Sequence, residues 1–377
     1  MKRFLIFLFA LSGLCSCINN ENVSVTAPGQ TDSYPNAVVL NISGINLCLD
    51  TEWYQDGVPM GQMRRISRNC YIAVPSQYAE HATVVVKGLF SRQLTFEVDL
   101  TEYVDVQAHR GGAGLMPENT LEAMIAAVDL GVNTLELDLV LSGDGQVVVS
   151  HDLYFHPRYS IRPDSSLVIR GEPREWLYNM SYEDIRKYDV GSRKTEVWPD
   201  KVCFPAVKPL VSELIDSVES YTRKNSLSPM RYNIEVKSNA GSAEGVDWPD
   251  YKVLSDACME VLLSKQLGDR LVVQCFDVRA LNYMHSKYPE VKYSYLVGEE
   301  ATDLDAALAL LDFTPTWLSP HYSVTNEDLV KMCHEKGMRI VTWTVDKTDD
   351  IKEMLSLGVD AIISNYPDRV LSCTRNL

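Results

Sequence analysis

From residue 36 to about residue 103, apolar and polar positions alternate in short runs. VVLNI (38–42), YIAV (71–74), TVVV (83–86) and QLTFEV (93–98) each read as a half-buried strand, with Gly, Pro, Asn or Asp between several of them. No strong helical period appears in the stretch, so residues 36–103 are expected to form a small all-β, sandwich-like module. From Val104 the pattern changes to strands alternating with amphipathic helices. Strands are expected over 106–109, 134–140, 233–237, 271–276, 293–297, 316–319, 339–345 and 360–365. Helices are expected over 120–130, 251–266, 277–288, 326–336 and 349–357, joined to the strands by short connections. Eight candidate parallel strands in residues 104–377 match a (β/α)8 TIM barrel, which typically takes about 250 residues. An open doubly wound sheet is the alternative, but no GxGxxG follows a strand and opens a helix. The fold class expected is therefore α/β, a TIM barrel preceded by a small all-β domain.

The amino terminus has a different texture. Lys2 and Arg3 precede an apolar run over 4–14, the order of a secretory signal and too short to span a bilayer comfortably. Leu14-Cys15-Ser16-Cys17 has the arrangement of a bacterial lipobox within residues 1–17, with Cys17 as the lipid acceptor. Cys15 is a poorer acceptor, and ordinary cleavage without a lipid is the alternative. Residues 18–35 are polar and read as a tether. These features describe an exported bacterial lipoprotein, held at a membrane by its N-terminal lipid and facing the periplasm or the cell surface. No interior run reaches the roughly 20 apolar residues of a membrane helix. The mature chain is expected to be soluble.

Composition narrows the partners. The chain has 377 residues, 46% apolar, and a net charge of −16, which argues against nucleic acid because a phosphate backbone demands a basic face. Beyond Cys17 seven cysteines remain, an odd number, scattered without a CxxC pair or a nearby His at zinc-finger spacing. Cys48–Cys70 is the one disulfide expected. The β module carries no catalytic cluster. A spacer, a protein partner and a glycan partner all fit it.

The candidate chemistry gathers where a barrel keeps its active site, at the C-terminal ends of the strands. The first strand ends in His109-Arg110, the second carries Glu136-x-Asp138, and the hairpin after it ends in His151-Asp152. The third carries Glu235-x-Lys237 and the seventh Trp343. Spacing of i, i+2 on a strand puts both side chains on one face. Three carboxylates converging inside a barrel resist ionisation unless a cation sits among them, and an all-oxygen set suits Mg²⁺ or Ca²⁺. The alternative is a set of structural ion pairs, for instance Glu235 with Arg110. His109 and His151 are the natural acid–base pair, while Arg110 and Lys237 offer donors to an anionic phosphate. His321 follows a strand end and is a further candidate for the pocket lining.

These residues lie in the segments QAHRGGAGLMPENTLEA and TLELDLVLSGDGQVVVSHD, followed by NIEVK, VTWTVD and GVDAIISNYPD. Together they resemble the glycerophosphodiester phosphodiesterase family, over residues 104–377 and excluding the β module. The resemblance implies that His109 and His151 act as general acid and base, and that Glu136, Asp138 and Glu235 hold one divalent cation, Ca²⁺ or Mg²⁺. It also implies phosphate contacts from Arg110 and Lys237, Glu118 and Asn119 in a Pro-Glu-Asn-Thr loop beside the site, and Trp343 on the pocket wall. Two departures stand out: Cys275 where Ser often precedes Phe, and Asn365-Tyr366-Pro367 in place of Asp-Arg-Pro. Residues 153–204 form a long insertion after His151, expected to shape the rim that selects the alcohol group.

The expected activity is cation-assisted hydrolysis of a small glycerophosphodiester to glycerol 3-phosphate and an alcohol. Attack by the neighbouring glycerol hydroxyl would pass through a cyclic phosphate, and attack by water would not. Two other readings stay open: phospholipase C- or D-like cleavage of intact lipid, and a non-catalytic barrel that presents the β module.

Overall fold

The computed structural model describes residues 22–28, 31, 34, 36–43, 48–76, 79–88, 93–100, 104–301 and 303–374, with the backbone alone for Cys48 and Leu49. The signal segment 1–17 and its Cys17 lie outside the described residues. The chain divides into two compact units, residues 1–103 with Arg223–Pro229, and residues 104–222 with Met230–Leu377.

Among the described residues the first unit holds eight strands: β1 (Val23–Thr26), β2 (Val38–Ile42), β3 (Cys48–Gln55), β4 (Val58–Gln62), β5 (Arg64–Arg65), β6 (Cys70–Ala73), β7 (His81–Gly88) and β8 (Gln93–Asp99). They form two antiparallel sheets, ordered β1-β2-β6-β5 and β4-β3-β7-β8. Val38, Leu40 and Ile42 of one sheet share an apolar core with Trp53, Val84, Val86 and Val98 of the other. That is the expected sandwich.

Two expectations for this unit change. Residues 23–26, assigned to the tether of 18–35, form strand β1, which pairs antiparallel with β2 from Val23↔Ile42 to Thr26↔Val39. The expected Cys48–Cys70 bridge is also absent, because Cys70 is a free thiol. The two cysteines open strands in different sheets. Strand alternation sends Tyr71 and Ala73 into the shared core, while Cys70 packs with Val39 and Ile72 on the opposite face. Burial there raises the Cys70 pKa. Cys203, Cys258, Cys275, Cys333 and Cys373 are free as well.

The second unit is a closed barrel of eight parallel strands. β9 (Asp105–Ala108), β10 (Thr134–Leu141), β12 (Arg231–Val236), β13 (Leu271–Cys275), β14 (Lys292–Val297), β15 (Trp317–Pro320), β16 (Arg339–Thr342) and β17 (Ala361–Ser364) pair in that order. β17 closes on β9, and the short β11 (Val147–Val149) adds antiparallel to β10. The helices are α1 (Leu121–Leu130), α2 (Tyr182–Ile185), α3 (Val211–Lys224), α4 (Tyr251–Ser264), α5 (Val278–Lys287), α6 (Leu304–Leu308), α7 (Glu327–Glu335), α8 (Thr348–Leu357) and α9 (Pro367–Thr374). Side-chain caps mark several helix starts: Thr120, Asp250, Asp277 and Asn326 each accept from a backbone N–H of the first turn. Among the described residues no helix is long and apolar enough to cross a membrane.

Period-two alternation sorts the side chains of β10 and β12. Leu135, Leu137 and Leu139 of β10 alternate with Thr134, Glu136 and Asp138, and Tyr232, Ile234 and Val236 of β12 alternate with Arg231, Asn233 and Glu235. The polar set meets inside the barrel. Near the bottom, the Thr134 hydroxyl donates to Asp105 (2.8 Å). One layer up, Asn233 Nδ2 donates to Gln107 Oε1 (2.8 Å) and Gln274 Oε1 (3.2 Å). Above that layer the carboxylates and histidines gather.

Residues 153–204 build their own apolar core on β10 and β11. Phe155, Tyr159, Val168, Leu177, Ile185, Tyr188 and Val190 pack with Val140 and Val148, and the rings of Phe155 and Tyr188 stack at 3.8 Å.

Candidate active site

The strand register places the acidic residues side by side. Asp138 on β10 lies directly opposite Glu235 on β12, and Glu136 sits two residues below Asp138 on the same face. One ligand oxygen from each of Glu136, Asp138 and Glu235 falls within 4.8 Å of the others, and all three residues are buried. Burial and the neighbouring Asp138 carboxylate push Glu136 well above the ordinary carboxylate range. Burial also raises Glu235, with Asp138 adding to the shift and Lys237 opposing it. Asp138 goes the other way. Burial opposes its ionisation, but Lys237, His151 and Arg110 together hold it well below the usual value.

This donor set fits a hard divalent cation. It is all oxygen, it concentrates negative charge away from water, and Asp138 Oδ1 is buried with no hydrogen bond, facing only the Lys237 ammonium at 3.4 Å. The other oxygens are already oriented. Glu136 accepts from Gln274 Nε2 and from the Arg110 backbone N–H, both at 2.8 Å, and Asp138 accepts from Asn119 Nδ2 at 2.7 Å. Two of these donors come from residues in left-handed backbone, Arg110 at φ 53° and Asn119 at φ 57°, a conformation that costs energy and clusters at functional sites.

Arg110 and Lys237 face the carboxylates. Arg110 Nη1 donates to Glu118 Oε1 (3.0 Å) and its Nε lies 3.5 Å from Asp138 Oδ2. Lys237 Nζ pairs with Glu235 Oε1 at 2.8 Å and Asp138 Oδ1 at 3.4 Å. The alternative pairing of Glu235 with Arg110 gives way to Glu235 with Lys237. Burial would raise Glu118, but Arg110 and then Lys201 hold it below the ordinary value.

The two histidines sit in unlike surroundings. His109 Nδ1 lies 2.6 Å from Asn365 Oδ1, and Asn365 Nδ2 donates to Asp346 Oδ2 at 2.8 Å. A carboxylate only accepts, so the amide turns its nitrogen to Asp346 and its oxygen to His109. His109 Nδ1 therefore carries the hydrogen, and Nε2 is the basic nitrogen. Burial, with Arg110 beside it, pushes His109 down to about 3. His151 Nδ1 instead faces a carboxylate, Asp152 Oδ1 at 3.4 Å, and Asp152 also accepts from the Tyr159 hydroxyl at 3.0 Å.

Trp343 stands at the end of β16, its indole N–H donating to the Ser319 carbonyl at 2.7 Å. Phe276 and His321 meet it edge-on, with ring centroids 5.4 and 5.3 Å away. His321 thus packs against Trp343.

The sequence reading gave no role to several residues gathered here. Gln274 and Asp346 act through space on residues far away in the chain. Asn365 was visible only as a departure from a motif. Lys208 is buried and donates to Ser150 Oγ (2.8 Å), immediately before His151. No local spacing signals any of the four.

A closed barrel that gathers three buried carboxylates, two histidines and two cations at its strand ends holds the groups that cation-assisted hydrolysis of a phosphate ester would use. Residues 109–369 match the glycerophosphoryl diester phosphodiesterase family, and the chain belongs to that family. The glycerophosphodiester phosphodiesterase of Bacillus subtilis (strain 168) is 26% identical over 267 residues, covering 69% of this chain and 83% of that protein. Among solved structures, a putative glycerophosphoryl diester phosphodiesterase from Silicibacter pomeroyi DSS-3 superposes with a TM-score of 0.65 at 25% identity, over 73% of this chain and 94% of its own. An Oleispira antarctica phosphodiesterase, solved in complex with the product sn-glycerol-3-phosphate, gives 0.56 at 25% identity, over 72% of this chain and 96% of that one.

Proposed function

We propose that this chain hydrolyses small glycerophosphodiesters to glycerol 3-phosphate and a free alcohol. His109 and His151 exchange protons, and Glu136, Asp138 and Glu235 hold one divalent cation, Mg²⁺ or Ca²⁺. The observation that carries the reading is the carboxylate triad within 4.8 Å, set among two histidines and two partly buried cations. When bound, the cation supplies Lewis-acid polarisation of a phosphoryl oxygen and lowers the pKa of a nearby hydroxyl.

The chain's own groups divide the remaining work. Arg110 and Lys237 offer N–H donors to the phosphate oxygens, and Glu118 and Asn119 fix Arg110 and Asp138 in place. His109 has a neutral amide as its partner, so its imidazole stays neutral and Nε2 takes the proton of the attacking hydroxyl. His151 faces the Asp152 carboxylate, which orients its ring, and it is the group assigned to give a proton to the leaving alkoxide. Trp343, Phe276 and His321 form an aromatic cluster just past the ends of β16, β13 and β15.

Asn365→Leu removes the acceptor that fixes the His109 tautomer. It is expected to lower kcat about ten- to a hundred-fold, part of the roughly 10²–10⁴-fold that a positioned general base contributes, with little change in KM. Steady-state kinetics on glycerophosphoethanolamine check this.

Localisation follows from the amino terminus. Lys2, Arg3, the apolar run and Leu14-Cys15-Ser16-Cys17 support export and lipidation at Cys17, which would hold the barrel at a membrane facing the periplasm or the cell surface. Phosphorus NMR of the reaction mixture tests the activity. Glycerophosphocholine is expected to yield glycerol 3-phosphate and choline. Phosphocholine and glycerol would overturn the assigned bond cleavage, and turnover confined to phospholipid vesicles would replace this reading with a phospholipase.

A further inference from the structure

We propose that the segment inserted after His151 forms a subsite for an additional phosphate on the leaving alcohol, so that the preferred substrates are glycerophosphodiesters whose alcohol is itself phosphorylated. This deepens the function proposed above and rests on it. The segment encloses a cavity of about 700 Å³, within the range of about 300–1,000 Å³ usual for small-molecule sites. Arg158, Arg170, Arg174 and Arg193 line it together with His156, and the lining contains one acid, Glu172. That acid is taken, because Arg162 Nη2 holds it at 2.6 Å while the same guanidinium holds Glu175 through Nε at 2.6 Å. A chain with a net charge of −16 thus places four arginines along one cavity. Such a basic lining favours an anion, and the guanidinium fork matches phosphate oxygens in geometry.

The cavity is built on a firm base. Arg174 lies over the ring of Tyr154 at 4.5 Å and near that of Trp176 at 5.3 Å, while Arg193 donates to the Pro157 carbonyl. The apolar core of the insertion packs beneath, with Phe155 stacked on Tyr188. One side chain links this wall to the reaction centre. The Tyr159 hydroxyl donates to Asp152, the partner of His151, and its ring stacks on His156 at 5.4 Å. His151 is the residue assigned to protonate the leaving alcohol. A group carried on that alcohol would therefore lie on the side of the arginines, and a cationic choline there would meet like charge.

A matched substrate pair tests the inference: glycerophosphoinositol and glycerophosphoinositol 4-phosphate, which differ by one phosphate. The wild-type chain is expected to favour the phosphorylated substrate in kcat/KM by about ten-fold or more, the change that hydrogen bonds to a charged group bring. In the double variant Arg158→Ala/Arg170→Ala the ratio is expected to fall towards one, chiefly through KM. A wild-type ratio near one, or a ratio unchanged in the double variant, overturns the subsite. Calorimetric binding of inositol 4-phosphate to both proteins supplies a readout free of turnover. Binding to the wild type that weakens in the variant supports the subsite even where no diester is cleaved, a result that would sink only the catalytic reading. Equal binding, or none, overturns the subsite alone.

Discussion

Replacing His109 or His151 with alanine lowers kcat/KM for glycerophosphoethanolamine by about 10²–10⁴-fold each, the usual contribution of a positioned proton-transfer group. The two losses arise at different points. Without His109, nothing at the end of β9 accepts the proton of the attacking hydroxyl, and Asn365 Oδ1 loses its donor. Without His151, the alkoxide departs unprotonated, and Asp152 keeps only Tyr159 among its side-chain donors. Because one reaction uses both groups, the double variant is expected to lose far less than the product of the two single losses. The barrel should survive either change, since neither ring belongs to its apolar core. An unfilled acceptor at Asn365 costs about 1–3 kcal/mol, a modest share of a domain's stability. Circular dichroism and thermal melting check that the fold is retained, and full activity in both variants would refute the assignment.

Asp138→Asn is expected to lower turnover by at least about a hundred-fold, because even residues that only orient metal ligands cost about 10–100-fold when lost. The asparagine keeps the side-chain shape but removes the charge that faces both Lys237 and Arg110. Affinity for Mg²⁺ or Ca²⁺, read by calorimetric titration, should fall in parallel. Alanine is the poorer choice here. It would leave Arg110 with Glu118 alone and Lys237 with Glu235 alone, beside the space the carboxylate filled, which mixes folding with function. Wild-type turnover and wild-type cation affinity in Asp138→Asn would remove this residue from the ligand set.

Much of the fold was legible in the chain because the barrel's pattern is regular. The stretches 38–42 and 134–140 fall on β2 and β10, and the expected helices fall on α1, α4, α5, α7 and α8. What escaped has local causes. β1 is a four-residue strand between a polar stretch and Ala27-Pro28-Gly29, too short to show a period. In β3 the inward positions Thr51, Trp53 and Gln55 alternate with Asp50, Glu52 and Tyr54, but two of the three are polar and give little apolar signal, and the Asp56-Gly57 turn joining it to β4 went unread. Both turn residues take positive φ, 46° and 80°, the backbone that this pair of residues favours.

The candidate site divides in the same way. Glu136 with Asp138 and Glu235 with Lys237 declare themselves, because an i, i+2 spacing on a strand is a statement about one face. Asn365 bears on His109 across 256 residues, and Gln274 on Glu136 across 138, so only the closed barrel brings them together. The arginines of the inserted segment are spread from Arg158 to Arg193 without any period. Their common cavity exists only after residues 153–204 fold onto β10 and β11.

The most direct test of the central claim is glycerol 3-phosphate release from glycerophosphoethanolamine by the purified chain, first stripped with EDTA and then supplied with Mg²⁺ or Ca²⁺. The account expects background release in chelator and restored turnover with at least one of the two cations. Undiminished release in chelator would contradict the carboxylate triad as a cation site and, with it, the chemistry assigned here.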